Sequence, residues 1–179
     1  METYISILRG INVGGHKLIK MNALKEMFES LGFNRVKSFI QSGNVVFQSN
    51  STDPRQLEKL IAQGIMKSFG FDVPVIVIEK QELKNISERN LFINDRAEDL
   101  AKLHVTFLAA EPEKAFAESI GKEEFLPDEY RISGKAVFLF CPNGYGNTKL
   151  SNNFFEKQLK VQATTRNWKT VLELVKLSE

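Results

Sequence analysis

The chain has 179 residues, 42% hydrophobic and 26% charged, a composition typical of a globular protein with one ordinary domain or two small ones. Its net charge of +2 gives no reason in itself to expect a nucleic acid or a membrane surface as partner. The single cysteine, Cys141, excludes an intrachain disulfide, and no apolar run approaches the ~20 residues of a membrane-spanning helix. Without a signal-peptide pattern at its start, the sequence predicts a cytoplasmic protein with no membrane partner.

Alternating strand and helix patterns make up the first half of the chain. Helices are indicated by apolar residues at three- and four-residue spacing that end at a glycine, and strands by short β-branched or aromatic runs. Turn residues mark a hairpin, and an Asp-Pro pair marks a helix start. In chain order the elements are a strand at Tyr4–Leu8, a helix ending at Gly32, a hairpin of strands 35–40 and 45–48 around Gln41–Asn44, a helix from Asp53-Pro54 to Gly70 and an edge strand at Val73–Ile78.

The second half repeats this βαββαβ order, although identity between the halves is weak. Its elements are a strand at Leu103–Leu108, a helix at Pro112–Ile120, a hairpin of Tyr130–Ile132 and Ala136–Cys141, a helix at Ser151–Leu159, a strand at Val161–Thr164 and a last helix from Trp168 with Asn167 as N-cap. The repeat predicts an α/β protein of the α+β type with two ferredoxin-like units and antiparallel sheets. The predicted subdomains are residues 1–79 and 102–179, and residues 80–101 form a packed linker with a short helix near Gln81–Ser87.

This topology sorts the polar loops into two groups. A βαββαβ unit has the strand order four-one-three-two, with its first and second strands running the same way. The loop Arg9–Lys17 and the turn Gln41–Asn44 therefore lie at one edge of the first sheet, and we expect Arg9 or Lys17 to approach the turn. In the second unit, loops 142–149 and 164–167 meet at the opposite edge.

The glycine-rich loop after the first strand, LRGINVGGHK, does not match a known phosphate-binding motif. Gly10 and Gly15 have the spacing of a P-loop, but His16 stands where the lysine must follow, and the dinucleotide fingerprint also fails. Backbone amides before a helix can nevertheless bind an anion, with Arg9 and Lys17 adding charge. The alternative is a tight turn whose glycines relieve backbone strain.

The second group of loops has similar chemistry and similar alternatives. Lys149 lies before a helix start and predicts a second anion site, but Ser151 is also a plain helix cap there. Arg166 lies at another helix N-terminus, where a cation opposes the helix dipole and needs an anion. That anion is either a ligand or a structural partner such as Glu156 or Glu124.

We therefore predict a protein that binds a phosphate-bearing small molecule, such as a nucleotide, or a nucleic acid. An enzyme acting on such a ligand and a protein-interaction scaffold are the alternatives, and the sequence indicates neither a reaction nor an oligomeric state. The predicted ligand-binding residues share polar or glycine character at the two loop groups; they are Arg9, Asn12, Gly14, Gly15, Lys17, Ser42, Asn44, Lys149, Arg166 and Asn167.

The sequence offers few residues for metal binding or cysteine chemistry, and no motif for base stacking. The only histidines are His16 and His104, and with one cysteine the ligand spacing of a zinc site is absent, so we expect no metal and no cofactor. Cys141 ends an apolar strand and is interpreted as a small buried hydrophobe, and His104 as a core or cross-strand residue. The aromatic signature of RNA-recognition modules with this fold is missing.

Three segments, YISILRGINVGGHKLIKM, FIQSGNVVFQS and TKLSNNFFEKQLKVQATTRNWKTV, resemble the bacterial family catalogued as domain of unknown function 1697. The resemblance runs from Tyr4 to beyond Val171 and implies two ferredoxin-like α/β subdomains. The family motifs correspond to Leu8–Gly15, Gln41–Val45 and Thr164–Trp168 in this chain.

This chain departs from the family pattern at two positions. Lys169 stands where asparagine is frequent, and Leu91 stands where proline is frequent. The family has no established activity, so the resemblance implies a fold and the location of polar loops without implying a chemistry.

Overall fold

A computed structural model describes residues 1–121 and 123–179. The chain forms two compact units, one of residues 1–84 together with 173–179 and the other of residues 85–172. The predicted linker is thus divided between the units, and the end of the last helix belongs with the first unit rather than the second. There Lys37 Nζ donates a hydrogen bond of 3.3 Å to the carbonyl of Leu177, a contact that no local sequence pattern reveals.

The first unit has the predicted βαββαβ order. Its elements are β1 (Glu2–Leu8), α1 (Met21–Ser30), β2 (Asn34–Phe39), β3 (Asn44–Ser49), α2 (Pro54–Phe69) and β4 (Val75–Glu79). The sheet order is β2-β3-β1-β4 with every neighbouring pair antiparallel, as predicted. Asp53 caps α2 by accepting from the Arg55 amide at 2.9 Å, and Gly70 ends the helix at φ 72°.

Both faces of the first sheet are buried. On one face Phe28, Phe33 and Phe47 pack ring against ring, with the Phe33 and Phe47 centroids 4.5 Å apart. On the opposite face Ile5 and Ile7 are fully buried. An aromatic sheet surface open to bases, as in RNA-recognition modules, is therefore not present in this sheet.

Two helices follow β4. They are α3 (Lys80–Glu88), near the predicted linker helix, and the unpredicted α4 (Leu91–Asn94). Asn90 caps α4 by accepting from the Phe92 amide at 3.1 Å. Just beyond it, the Arg96 guanidinium lies over the neighbouring Phe92 and Phe140 rings, 5.5 and 5.2 Å from their centroids, and pairs with Glu129 at 2.7 Å. These contacts hold the polar segment after α4 to Phe140 and Glu129 of the second unit.

The second unit repeats the pattern with shorter helices. Its elements are β5 (Leu103–Leu108), α5 (Lys114–Glu118), β6 (Glu129–Ser133), β7 (Ala136–Phe140), α6 (Asn152–Leu159), β8 (Ala163–Asn167) and the start of α7 (Trp168–Ser178), with sheet order β6-β7-β5-β8. α5 is shorter than the helix predicted at 112–120, and its N-cap Glu113 makes no side-chain capping bond within the described residues. β8 begins two residues later than predicted because Lys160 ends α6 at φ 58° and the chain must first turn. None of the helices in the described residues has the length and apolar character needed to cross a membrane.

A glutamate on a helix covers one edge strand in each unit. Glu58 Oε1 on α2 accepts from the Val77 amide of β4 at 3.0 Å, and Glu156 Oε1 on α6 accepts from the Ala163 amide of β8 at 3.1 Å. Both strands are at sheet edges, where backbone donors otherwise face solvent. The two units therefore share this device as well as their strand order.

Candidate functional site

The glycine-rich loop between β1 and α1, residues 9–20, meets the β2–β3 turn as the topology predicted. The Leu8 amide donates to the carbonyl of Gly43 at 2.9 Å, and Asn12 Nδ2 donates to the carbonyl of Gln41 at 2.8 Å. Lys17 Nζ donates to the carbonyl of Asp72 rather than to this turn, and the approach of Arg9 to the turn stays a prediction. The turn is therefore joined to the end of β1 by Leu8 and to the loop by Asn12.

The backbone of the β1–α1 loop explains its glycines. Gly14 and Gly15 have φ of 58° and 78° and form the tip of a small hairpin closed by the His16 amide, which donates to the Val13 carbonyl at 3.0 Å. Two-residue hairpin turns of type I′ require positive φ at both central residues. The turn interpretation of these glycines is therefore supported, but it leaves the exposed tip available to a ligand.

Elsewhere in the loop the sign of φ alternates. Gly10 and Asn12 have φ of 76° and 55°, whereas Ile11 and Val13 are outside the positive-φ region. Successive residues of opposite handedness direct neighbouring amide groups into an anion-binding concavity. The anion interpretation stays a prediction here, because the amide of Asn12 already donates to the Lys17 carbonyl at 3.2 Å.

The β2–β3 turn is packed tightly on the base of the loop. Gly43 has φ 79°, and a Cβ there would lie 2.7 Å from Leu8 Cβ and 2.9 Å from Ile11 Cδ1. Asn44 is fully buried and its Nδ2 donates to the Phe39 carbonyl at 3.2 Å and to Ser42 Oγ at 3.0 Å. Among the predicted ligand residues, Ser42 and Asn44 therefore brace the turn.

The N-terminus of α1 has a basic residue at its N-cap position. Its N-cap is Lys20, which makes no side-chain capping bond within the described residues, and its first turn carries no acidic residue. In contrast, α2, α6 and α7 have capping side chains at Asp53, Ser151 and Asn167. An anion bound at the α1 terminus would complement the helix dipole and the exposed amides.

The predicted second site is mostly occupied by internal hydrogen bonds. Ser151 Oγ accepts from the Phe154 amide at 3.2 Å and Asn167 Oδ1 from the Thr170 amide at 2.8 Å, so both cap helices. Arg166 Nη1 donates to the Thr165 carbonyl at 3.0 Å, and burial lowers the pKa of its guanidinium to about 10. Lys149 is exposed.

A polar group on β5 was not among the predicted site residues. The Thr106 and Thr165 hydroxyls are 2.7 Å apart, and Thr165 Oγ1 donates to Asn152 Oδ1 at 2.6 Å. Two positions back, the His104 ring stacks on Tyr145 with centroids 4.9 Å apart, and burial lowers its pKa. The alternation of His104 and Thr106 on one strand face is the sequence signal that points to this group.

Cys141 is buried as predicted, and burial raises the pKa of its thiol to about 11. It is therefore a neutral thiol at physiological pH, with little nucleophilic character. Among the described residues, no group of three or more His, Cys, Asp or Glu side chains is arranged to hold a metal ion.

Comparison with known proteins identifies a family and a similar solved structure. A family profile described as "Protein of unknown function (DUF1697)" matches residues 1–138, which include the β1–α1 loop and the β2–β3 turn. The conserved bacterial protein SP0830 from Streptococcus pneumoniae has the same fold, with a TM-score of 0.71, 23% identity and coverage of 99% of each chain. No curated protein matches the chain.

Proposed function

The chain belongs to the DUF1697 family of proteins of unknown function, and we propose that its β1–α1 loop binds a phosphate-bearing ligand such as a nucleotide. The observation that carries the proposal is the N-terminus of α1, which has a lysine at the N-cap and no capping side chain among the described residues. Removing a good cap costs about 1 kcal/mol, so a helix start without one favours a bound anion.

The surroundings of that helix start support the same ligand. Arg9, Lys17 and Lys20 supply positive charge along the loop, and φ alternates in sign between Gly10 and Val13, a pattern that occurs in backbone anion-binding concavities. A phosphate group satisfies both features, because it carries charge and several acceptor oxygens.

A protein-interaction surface is the second candidate. Three large apolar side chains at this edge are exposed: Val13 by 61%, Leu18 by 66% and Ile40 by 51%. Ile40 also has φ 48°, a conformation that β-branched residues rarely adopt. Exposed apolar side chains around a polar loop are typical of a surface that meets a protein.

A thermal-shift panel of nucleotides, oligonucleotides and sugar phosphates tests the proposal. A ligand at ~100 times its dissociation constant stabilises the fold by about 2.7 kcal/mol. The variant Arg9→Ala/Lys17→Ala should lose this stabilisation, while Lys59→Ala/Lys135→Ala, which removes the same charge from exposed positions elsewhere, should keep it. A steep salt dependence would indicate nucleic acid rather than a small phosphate ligand.

No stabilisation by any compound, or equal stabilisation of both double variants, contradicts the proposal. A panel without a hit would favour the protein-interaction candidate, which predicts instead that Leu18→Ser weakens association with a partner.

A further inference from the structure

The side chain of Asn12, in the β1–α1 loop, makes three hydrogen bonds. Its Nδ2 donates to the Ile19 carbonyl at 2.9 Å and to the Gln41 carbonyl at 2.8 Å. Its Oδ1 accepts from the Ile19 amide at 2.8 Å. Both amide hydrogens and the oxygen are therefore used within the protein.

These bonds connect three segments. Together with the Asn12 amide, which donates to the Lys17 carbonyl at 3.2 Å, the pair of bonds to Ile19 closes residues 12–19 into a ring. The bond to Gln41 then ties that ring to the β2–β3 turn. Asn12 has φ 55°, and asparagine is among the few residues that tolerate this region.

We infer that Asn12 is a positioning residue: it holds the anion-binding loop against the β2–β3 turn and does not contact the ligand. The inference rests on the proposed function of the loop, and it replaces the ligand role predicted from the sequence. Because the loop amides must converge before an anion arrives, a loop fixed in advance binds more tightly than one that orders on binding.

The variant Asn12→Gly separates these roles, because glycine keeps the positive φ and removes all three side-chain bonds. The matched control is Asn147→Gly, which removes one amide bond, 2.9 Å to the Asn143 carbonyl, from a loop of the second unit. Each protein is titrated with inorganic phosphate, observed by amide chemical shifts, and its hydrogen exchange is measured without phosphate.

The expected result is phosphate binding about tenfold weaker in Asn12→Gly than in the wild type or the control, equivalent to about 1.4 kcal/mol. The Ile19 amide should exchange faster in the free variant, while amides of the β1–β3 ladder, such as that of Phe47, keep their protection. A general loss of stability would raise exchange in the ladder as well, so this pattern reports the loop alone.

Two results would overturn the inference. Weaker binding with unchanged Ile19 exchange means that Asn12 contacts the phosphate, and faster exchange with unchanged binding means that the ordering is irrelevant to the ligand. If the wild type does not bind phosphate, the proposed function fails first and the inference falls with it.

Should Asn12→Gly not fold, Asn12→Asp keeps the acceptor for the Ile19 amide and removes both donors. The inference then requires loss of the loop–turn contact, seen as faster exchange of the Leu8 amide. An unchanged Leu8 amide contradicts it.

Discussion

In both units the central strand ends in the same pattern of backbone hydrogen bonds, but only the first unit has a glycine-rich loop after that strand. In the first unit the Leu8 and Arg9 amides donate to the Gly43 and Pro74 carbonyls at 2.9 and 3.0 Å. In the second unit the Leu108 and Ala109 amides donate to the Lys135 and Gln162 carbonyls, both at 2.9 Å. The main-chain frame is the same in both.

Beyond this shared frame the two units differ in the connection that leads to the first helix. Residues 9–20 connect β1 to α1 through five positive-φ positions, whereas residues 109–113 connect β5 to α5 through none in the described chain. The second unit shows that this backbone hydrogen-bond pattern forms without glycines or cations in the β5–α5 connection. The shared main-chain frame therefore does not require the glycines and cations of the first loop, although Ile11 and Ile19 of that loop pack in the core of the first unit.

The largest effect is expected at the two hairpin turns. Gly43→Ala places a Cβ 2.7 Å from Leu8 Cβ at φ 79°, and should destabilise the protein by about 3 kcal/mol. Gly134→Ala, at φ 58° with open space around it, should cost about 1 kcal/mol. Urea denaturation of both variants measures the difference, and equal losses would show that the turn is not packed on the loop.

A smaller difference in stability is expected between two substitutions that remove a hydroxyl from the central strands, one on β5 and one on β1. Thr106→Val removes a bond to Thr165 and should cost about 1 kcal/mol. Ser6→Ala removes a buried hydroxyl that has no hydrogen-bond partner among the described residues, and should leave stability unchanged or raise it. Unfolding free energies with the opposite ranking would contradict this assignment of partners.

The smallest expected effect is a pH dependence of stability that comes from His104 in the second unit. Burial lowers the pKa of His104 in the folded protein, so the unfolded chain binds the proton more readily. The contribution to stability is full above the unfolded pKa of ~6.5 and is lost as pH falls toward the folded pKa. His104→Gln should flatten the stability profile between about pH 7 and 5, as followed by thermal denaturation; an unchanged slope would assign it to other groups.

Features controlled by neighbouring residues were predictable from the sequence. The Asp53 cap, the Gly70 helix end and the Asn167 cap depend on a few adjacent positions, and the sheet order follows from the hairpins. The side-chain partners were not predictable. Lys17 reaches the Asp72 carbonyl and Asn12 reaches Gln41, and such pairs depend on loop conformations that residue types alone do not determine.

The covered edge strands have a consequence for assembly. Glu58 and Glu156 occupy amides of β4 and β8 on which an extended peptide would otherwise hydrogen-bond. At the other edge of the first sheet, β2 has a register shift between Asn34 and Lys37, with Arg35 at φ 47°. Such a bulge interrupts the regular row of backbone groups with which another strand could pair. These features make three sheet edges less regular templates for the pairing of a further strand, as is required to limit edge-to-edge association.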